Sequence, residues 1–132
     1  MNDTIVTLLK TIPFASLATV DSQGTPLATI ITTSYRDGCL YWFSVGATDH
    51  SRNIEGNKHV SVVVYDQSRK QKDVVYIEST AEIVDKADSL YDGLFPDQAT
   101  RAESMDLYRV QIGTIDAAKS HDDRHYFKGT TV

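Results

Sequence analysis

The sequence predicts a small antiparallel β-barrel, mainly β with short α-helices, and three observations support this. Runs rich in β-branched and aromatic residues recur about seven times along the chain. Turn residues join most of these runs, which favours an antiparallel barrel or sandwich over a doubly wound parallel sheet. No long repeat, linker or low-complexity tract divides the chain, so we expect residues 1–132 to form a single domain.

The chain opens with a predicted short helix over residues 2–12, which Pro13 ends. Its apolar residues have the spacing of one helical face. They are Ile5, Leu8, Leu9 and Ile12. Two β-type runs follow at residues 14–20 and 27–35, and the turn residues at 21–24 between them predict a hairpin.

Asp37-Gly38 predicts a tight turn into a third strand at residues 39–45, because both residues tolerate positive φ. This strand is apolar on both faces, so we expect both faces to be covered. Residues 48–57 predict a short helix, and the β-branched run at 60–65 predicts a buried strand.

Residues 74–84 alternate and predict a long, half-exposed strand. The side chains expected to point inward from it are Val75, Ile77, Ala81 and Ile83. The charges and the proline within residues 86–104 favour one or two short helices there. A further alternating strand is predicted at 107–115, and a short last strand at 124–128. The inward side chains of the former are Tyr108, Val110 and Ile112.

The charge balance and the cysteine content exclude several classes of protein. The chain has 18 Asp and Glu and 13 Lys and Arg, which gives a net charge of −5. This charge disfavours nucleic acid and anionic membranes as partners. The single cysteine, Cys39, forms no internal disulfide and belongs to no zinc motif. No apolar run reaches the roughly 20 residues of a membrane-spanning helix. We therefore expect a cytoplasmic protein that is not bound to a membrane.

Residues 43–54 run from the end of a strand through a small-residue turn to the start of a helix. Unpaired N–H groups and the helix dipole favour an anion such as phosphate at such a junction. The side chains that could assist are Ser44, Thr48, Ser51, His50 and Arg52. The alternative interpretation is that Thr48 caps an ordinary helix and that Arg52 is simply solvated.

Five short motifs in a fixed order carry a resemblance to a known family. They are Phe14-Ala15-Ser16-Leu17-Ala18-Thr19-Val20-Asp21, Gly24-x-Pro26, Asp37-Gly38-x-Leu40-Tyr41, His50-Ser51-Arg52-Asn53-Ile54 and Val60-Ser61-Val62. Over residues 5–84, and more weakly at 108–115, the chain resembles the pyridoxamine 5′-phosphate oxidase-like family of FMN-binding split barrels.

The resemblance implies a six- to seven-stranded antiparallel split β-barrel that forms a homodimer, with one FMN in each of two clefts between the subunits. The strand along the ring and ribityl chain corresponds to Thr29, Ile30, Ile31, Thr32 and Thr33. The phosphate site corresponds to Phe43, Ser44, Thr48, Asp49, His50, Ser51 and Arg52, with Phe43 expected to form a wall beside the flavin. Gln71 is the nearest match to a glutamine that reaches the ring.

The sequence departs from the oxidase itself at the phosphate site and near residue 125. Asp49-His50 replaces an Arg-Lys pair, so positive charge would have to come from Arg52 or from a protonated His50. Asp49 either opposes the phosphate or only complements the helix dipole. Residues 123–127 do not reproduce the oxidase's substrate-binding Arg-x-His segment, so oxidation of pyridoxamine phosphate is not expected.

The resemblance favours a flavin-dependent oxidoreductase that takes a hydride from a reduced nicotinamide and passes electrons to a small, unidentified acceptor. No residue is evident as a catalytic acid or base, and no metal site is expected. The alternatives are a non-catalytic flavin- or haem-binding protein, a deazaflavin protein, or a structural dimer whose cleft is empty. Haem would need an axial histidine, for which the candidates beside His50 are His59, His121 and His125.

Overall fold

A computed structural model describes residues 1–85, 94–95 and 105–129. The helices in these ranges are α1 (Asp3–Thr11) and α2 (Asp49–Gly56). The strands are β1 (Phe14–Val20), β2 (Pro26–Thr32), β3 (Ser34–Arg36), β4 (Cys39–Ser44), β5 (His59–Tyr65), β6 (Val74–Val84), β7 (Asp106–Gln111), β8 (Thr114–Ile115) and β9 (Arg124–Lys128). Neither described helix is long and apolar enough to cross a membrane. The helices predicted within 86–104 fall outside the described residues, except for a bend at 94–95.

Helix α1 forms where the apolar spacing predicts it. The side chain of Asn2 caps the helix by accepting a hydrogen bond from the Ile5 N–H at 3.0 Å. The residues buried on its inner face include Ile5, Leu8 and Leu9, as predicted. The last bond runs from the Ile12 N–H to the Leu8 carbonyl at 2.9 Å, immediately before Pro13.

The sheet closes into a split barrel because the run predicted as one strand, residues 27–35, pairs with two different strands. The strand order is β2-β1-β5-β6-β7-β4-β3, and β2 and β3 are consecutive in the chain. The continuous strand predicted at 27–35 is therefore wrong at Thr33, where the chain bends and the N–H donates to the Pro13 carbonyl at 2.8 Å. Before the bend the chain pairs with β1, and after it with β4. The predicted antiparallel split barrel is confirmed.

Strand β6 changes partners along its length and so joins the two parts of the sheet. Its first residues pair with β5, and those from Ala81 onward pair antiparallel with β7. Strand β9 runs parallel to the first part of β6, an exception to the antiparallel pattern. The predicted alternation fails at the change of partner, because Ser79, Thr80 and Ala81 are all buried and Ile83 is 63% exposed.

The predicted strand at 107–115 is interrupted by a tight passage of the chain. Gly113 has φ +76°, and a Cβ there would lie 2.0 Å from the Lys128 carbonyl oxygen, so only glycine fits. The chain therefore forms β7, breaks, and resumes as β8, which pairs with β9. The inward-pointing residues are confirmed as buried, namely Tyr108, Val110 and Ile112.

Strand β4 is buried on both faces, as its sequence predicts. Towards the barrel interior, Trp42 is fully buried, and its ring stacks on Tyr108 with 5.7 Å between centroids. On the opposite face Tyr41 packs with Leu94 and Leu107 in a second apolar cluster. The two clusters therefore hold both faces of β4 in place. Ser44, the last residue of this strand, is the first residue of the candidate site.

Candidate functional site

The strand, turn and helix predicted from residues 43–54 form at the junction of β4 and α2. Thr48 is the N-cap of α2, and its side chain accepts a bond from the Ser51 N–H at 3.4 Å. The Thr48 N–H donates to the Val45 carbonyl at 3.1 Å, which closes the turn. The N–H groups of Asp49 and His50 also lie in the first turn of the helix, where no intrahelical carbonyl is available to them.

Three hydroxyl groups converge within this junction, and we call Ser44, Thr48 and Ser51 the hydroxyl cluster. The Ser51 hydroxyl donates to Ser44 Oγ at 2.9 Å, and Thr48 Oγ1 lies 2.8 Å from Ser51 Oγ and 3.2 Å from Ser44 Oγ. Ser44 and Ser51 are 5% and 3% exposed, respectively. Such a cluster can rearrange its protons to serve an anion at the mouth of the turn.

His50 completes the network from the first turn of the helix. Its Nε2 lies 2.7 Å from Ser44 Oγ and 3.4 Å from Thr48 Oγ1. Burial lowers the pKa of His50 below its usual value, while the neighbouring Asp49 carboxylate acts against this shift. His50 therefore takes up a proton less readily than a solvated histidine does.

A hydrogen bond that sequence reasoning missed fastens α2 to the barrel. Asn53 Nδ2 donates to Thr19 Oγ1 at 3.0 Å, and Thr19 on β1 is 1% exposed. Ile54, one residue further along α2, is buried in the main core. The position of the hydroxyl cluster therefore depends on β1 as well as on β4. No local pattern signals this, because 34 residues separate the two partners.

The charges around the junction are mixed. Asp49 and Arg52 are both exposed on α2. Asp106 faces Ser44 in the register of β7 and β4, and its Oδ2 would lie 3.5 Å from a Cβ on Gly46. Two acidic residues and one arginine thus lie on the elements that form the junction. Asp106 was not among the predicted site residues, since only the strand pairing brings it here.

A sequence profile of the family described as pyridoxamine 5′-phosphate oxidase matches residues 1–128. The chain belongs to the pyridoxamine 5′-phosphate oxidase family. The curated proteins contain no significant match to it. The expected fold and family are therefore confirmed by a match over nearly the whole chain.

Solved structures share the fold of this family member at low sequence identity. The haem storage protein HutZ from Vibrio cholerae has TM-score 0.66 and 20% identity, over 82% of this chain and 87% of that one. General stress protein 26 from Bacillus anthracis has TM-score 0.69 and 18% identity, over 82% and 85%. An F420 reductase has TM-score 0.65 and 20% identity, over 84% and 94%. Identities this low show the fold alone.

In this family member the predicted flavin strand, residues 29–33, passes beside β4. Ile31 and Thr33 point into the barrel and are buried, whereas Ile30 is 63% exposed on the outside. Thr29 and Thr32 are partly exposed. In the described ranges β2 pairs with β1 alone, so alternate backbone N–H groups of β2 point away from the sheet. Those groups could meet the polar edge of a planar ligand.

Two other predicted site residues lie apart from the hydroxyl cluster. Phe43 is on the opposite face of β4 from Ser44, and its ring lies 4.9 Å from that of Phe95. Gln71 lies in the loop after β5, where its N–H donates to Asp66 Oδ2 at 3.2 Å. Asn53 fastens α2 to Thr19, next to the β1 residue that pairs with Ser61 near the start of β5, whereas Gln71 follows the other end of that strand. The structure does not place either residue beside the cluster.

The histidines proposed as haem ligands occupy separate places. His59 is exposed at the start of β5. His121 stacks on Tyr126, and His125 Nε2 lies 2.7 Å from Asp73 Oδ1. Among the described residues, no three or more His, Cys, Asp or Glu side chains group in a way that could hold a metal ion.

Proposed function

We propose that this split barrel binds FMN and acts as a flavin-dependent oxidoreductase on a small-molecule substrate. The observation that carries the proposal is the hydroxyl cluster at the β4–α2 junction of a chain that belongs to the pyridoxamine 5′-phosphate oxidase family. Hydroxyl donors, a helix N-terminus and an available strand edge together suit a phosphate, its ribityl chain and a flat ring. The compartment we propose is the cytoplasm, which the single cysteine supports.

In this proposal the protein's residues bind and orient the cofactor. The phosphate is held by Ser44, Thr48, His50, Ser51 and Arg52, and the ring and ribityl chain lie along Thr29 to Thr33. FMN, when bound, supplies the hydride acceptor, so the protein needs no acid or base of its own for that transfer. The wall role predicted for Phe43 is not part of the proposal, because its ring packs beneath residues 94–95.

We also propose that the protein is a homodimer with the cofactor sites at the subunit interface. Phe14, Ile30 and Tyr65 are 52%, 63% and 40% exposed and line one groove of about 160 Å³ on the outer face of β1, β2 and β5. A contiguous apolar surface of this kind favours coverage by another protein surface. A second copy would also allow Gln71 of one chain to approach the cleft of the other.

Sedimentation tests the dimer. Ile30→Glu places a charge at the centre of the proposed interface and should give a monomer at concentrations where the wild type is a dimer. Ile115→Glu is the matched control, because Ile115 is 48% exposed on β8. A wild-type monomer, or an Ile30→Glu dimer of wild-type stability, would contradict this interface.

A fluorescence titration tests the cofactor. Wild-type protein should quench FMN fluorescence saturably, and Ser44→Ala should weaken binding by about 1 to 3 kcal/mol through loss of charge-assisted hydrogen bonds. Ser68→Ala is the control, since that hydroxyl bonds to Asp66 in an exposed loop. Equal FMN affinity in Ser44→Ala and wild type would refute the phosphate assignment. If FMN binds, the reaction is tested by adding a reduced nicotinamide without oxygen and measuring the loss of flavin absorption.

Haem is the second candidate, because HutZ, which shares this fold, is a haem storage protein. An axial histidine would be needed, and Nε2 of both His50 and His125 already lies at hydrogen-bonding distance from a protein oxygen. His59 and His121 are then the candidates whose Nε2 is more accessible. An F420 reductase also has this fold, so deazaflavin is a third cofactor to test. The absorption bands of flavin, haem and deazaflavin differ enough to separate them.

A further inference from the structure

The groups that border the hydroxyl cluster are mainly proton acceptors. Asp49 contributes a carboxylate from the first turn of α2, and Asp106 contributes a second from β7, beside Gly46. His50 Nε2 lies 2.7 Å from Ser44 Oγ. Arg52 is a cation on α2. Glu55 on α2, Lys58 after the helix and Glu82 on β6 line the cavity that Ser51 and Asp106 also line. The fixed negative charges here outnumber the fixed positive ones. They therefore cannot balance the two negative charges of a doubly charged ligand.

A phosphate monoester such as that of FMN carries one negative charge below about pH 6 and two above it. The singly charged form keeps one P–OH group, which can donate a hydrogen bond. A doubly charged phosphate has no proton to offer and is repelled by both carboxylates. The acceptors at this junction therefore match the singly charged form.

We propose that this site binds a phosphate in its singly charged form, with the P–OH proton directed to the carboxylate of Asp49 or Asp106. The inference rests on the proposed function, because it concerns the phosphate of the same flavin ligand. FMN then takes up a proton when it binds above pH 6. A flavin whose phosphate is a diester carries one charge at every such pH and binds without proton uptake.

The expected pH dependence follows from the fraction of singly charged FMN. With a phosphate pKa of about 6, that fraction falls about 50-fold between pH 6 and pH 8. FMN affinity should fall by the same factor over this range. Riboflavin, which has no phosphate, and riboflavin 4′,5′-cyclic phosphate, a diester, should change less than about twofold.

The experiment is a set of fluorescence titrations of the full chain with these three flavins at pH 6, 7 and 8. Asp49→Asn combined with Asp106→Asn should tighten FMN binding at pH 8 by about fivefold or more and flatten its pH dependence. Asp116→Asn is the matched control, since Asp116 lies near β8, in the part of the chain that packs against β9. Riboflavin affinity should be the same in all three proteins.

The outcomes separate this inference from the proposed function. Saturable riboflavin binding with FMN affinity that is constant or rises with pH would overturn the inference and leave the flavin cleft standing. An equal loss for the cyclic diester would also overturn it, because the titrating group would then belong to the protein. If no flavin binds at any pH, the proposed function fails and this inference fails with it.

Discussion

The bond between Asn53 and Thr19 gives the most direct test of how the candidate site is positioned. Asn53→Ala removes a 3.0 Å hydrogen bond and leaves the Thr19 hydroxyl, on a residue 1% exposed, without this donor. An unsatisfied buried polar group costs about 1 to 3 kcal/mol, so this range is the expected loss in free energy of unfolding. Thr19→Val removes the hydroxyl itself and frees the partly exposed Asn53 amide to bind water, which should cost about 1 kcal/mol.

The double mutant turns this expectation into a measured coupling. Because both single variants break the same bond, their costs should not add, and the cycle should give a coupling of about 1 kcal/mol. Urea denaturation followed by circular dichroism supplies the free energies. Gln23→Ala in the exposed β1–β2 turn is the control and should change stability by less than about 0.5 kcal/mol. Additivity of the two variants within about 0.3 kcal/mol would refute the role of this bond.

Three further predictions concern the core and the titratable groups. Trp42→Ala, which empties a fully buried site stacked on Tyr108, should cost about 3 to 5 kcal/mol in thermal or urea unfolding, and a loss below 1 kcal/mol would contradict the packing. Burial raises the pKa of the Cys39 thiol, so at pH 8 it should react with a thiol reagent more slowly than in urea-unfolded protein; equal rates would contradict this. Since burial lowers the pKa of His50, the unfolded chain binds its proton at a higher pH than the folded chain does. Stability should therefore fall as the pH drops below about 6.5, and fall less in His50→Gln; the same loss in both proteins would refute the shift.

Local sequence patterns predicted the elements whose structure is decided locally. The apolar spacing of residues 2–12 is sufficient for α1, and Pro13 marks its end. Asp37 and Gly38 adopt φ values of +49° and +79°, the positive values that their residue types predict for a tight turn. The convergence of Ser44, Thr48 and Ser51 also follows from a short stretch of chain. These features need no knowledge of distant residues.

The features that the sequence did not reveal depend on strand pairing. The bend at Thr33 arises because β2 and β3 join different neighbours, which a propensity run cannot show. The exposure of Ile83 follows in the same way from the change of partner along β6. Asp106 reaches the site through the β4–β7 register. Simple alternation along β4 already separates Phe43 from Ser44, so that part was available from the sequence.

The visible absorption spectrum of the desalted, natively purified protein shows in one measurement which cofactor it carries. A protein that binds FMN should show the two bands of an oxidised flavin and release FMN into solution when it is heated. An intense Soret band would instead identify haem and contradict the proposed flavin function. A colourless protein that also fails to bind added FMN would contradict it equally, leaving the split barrel and the family without the proposed cofactor.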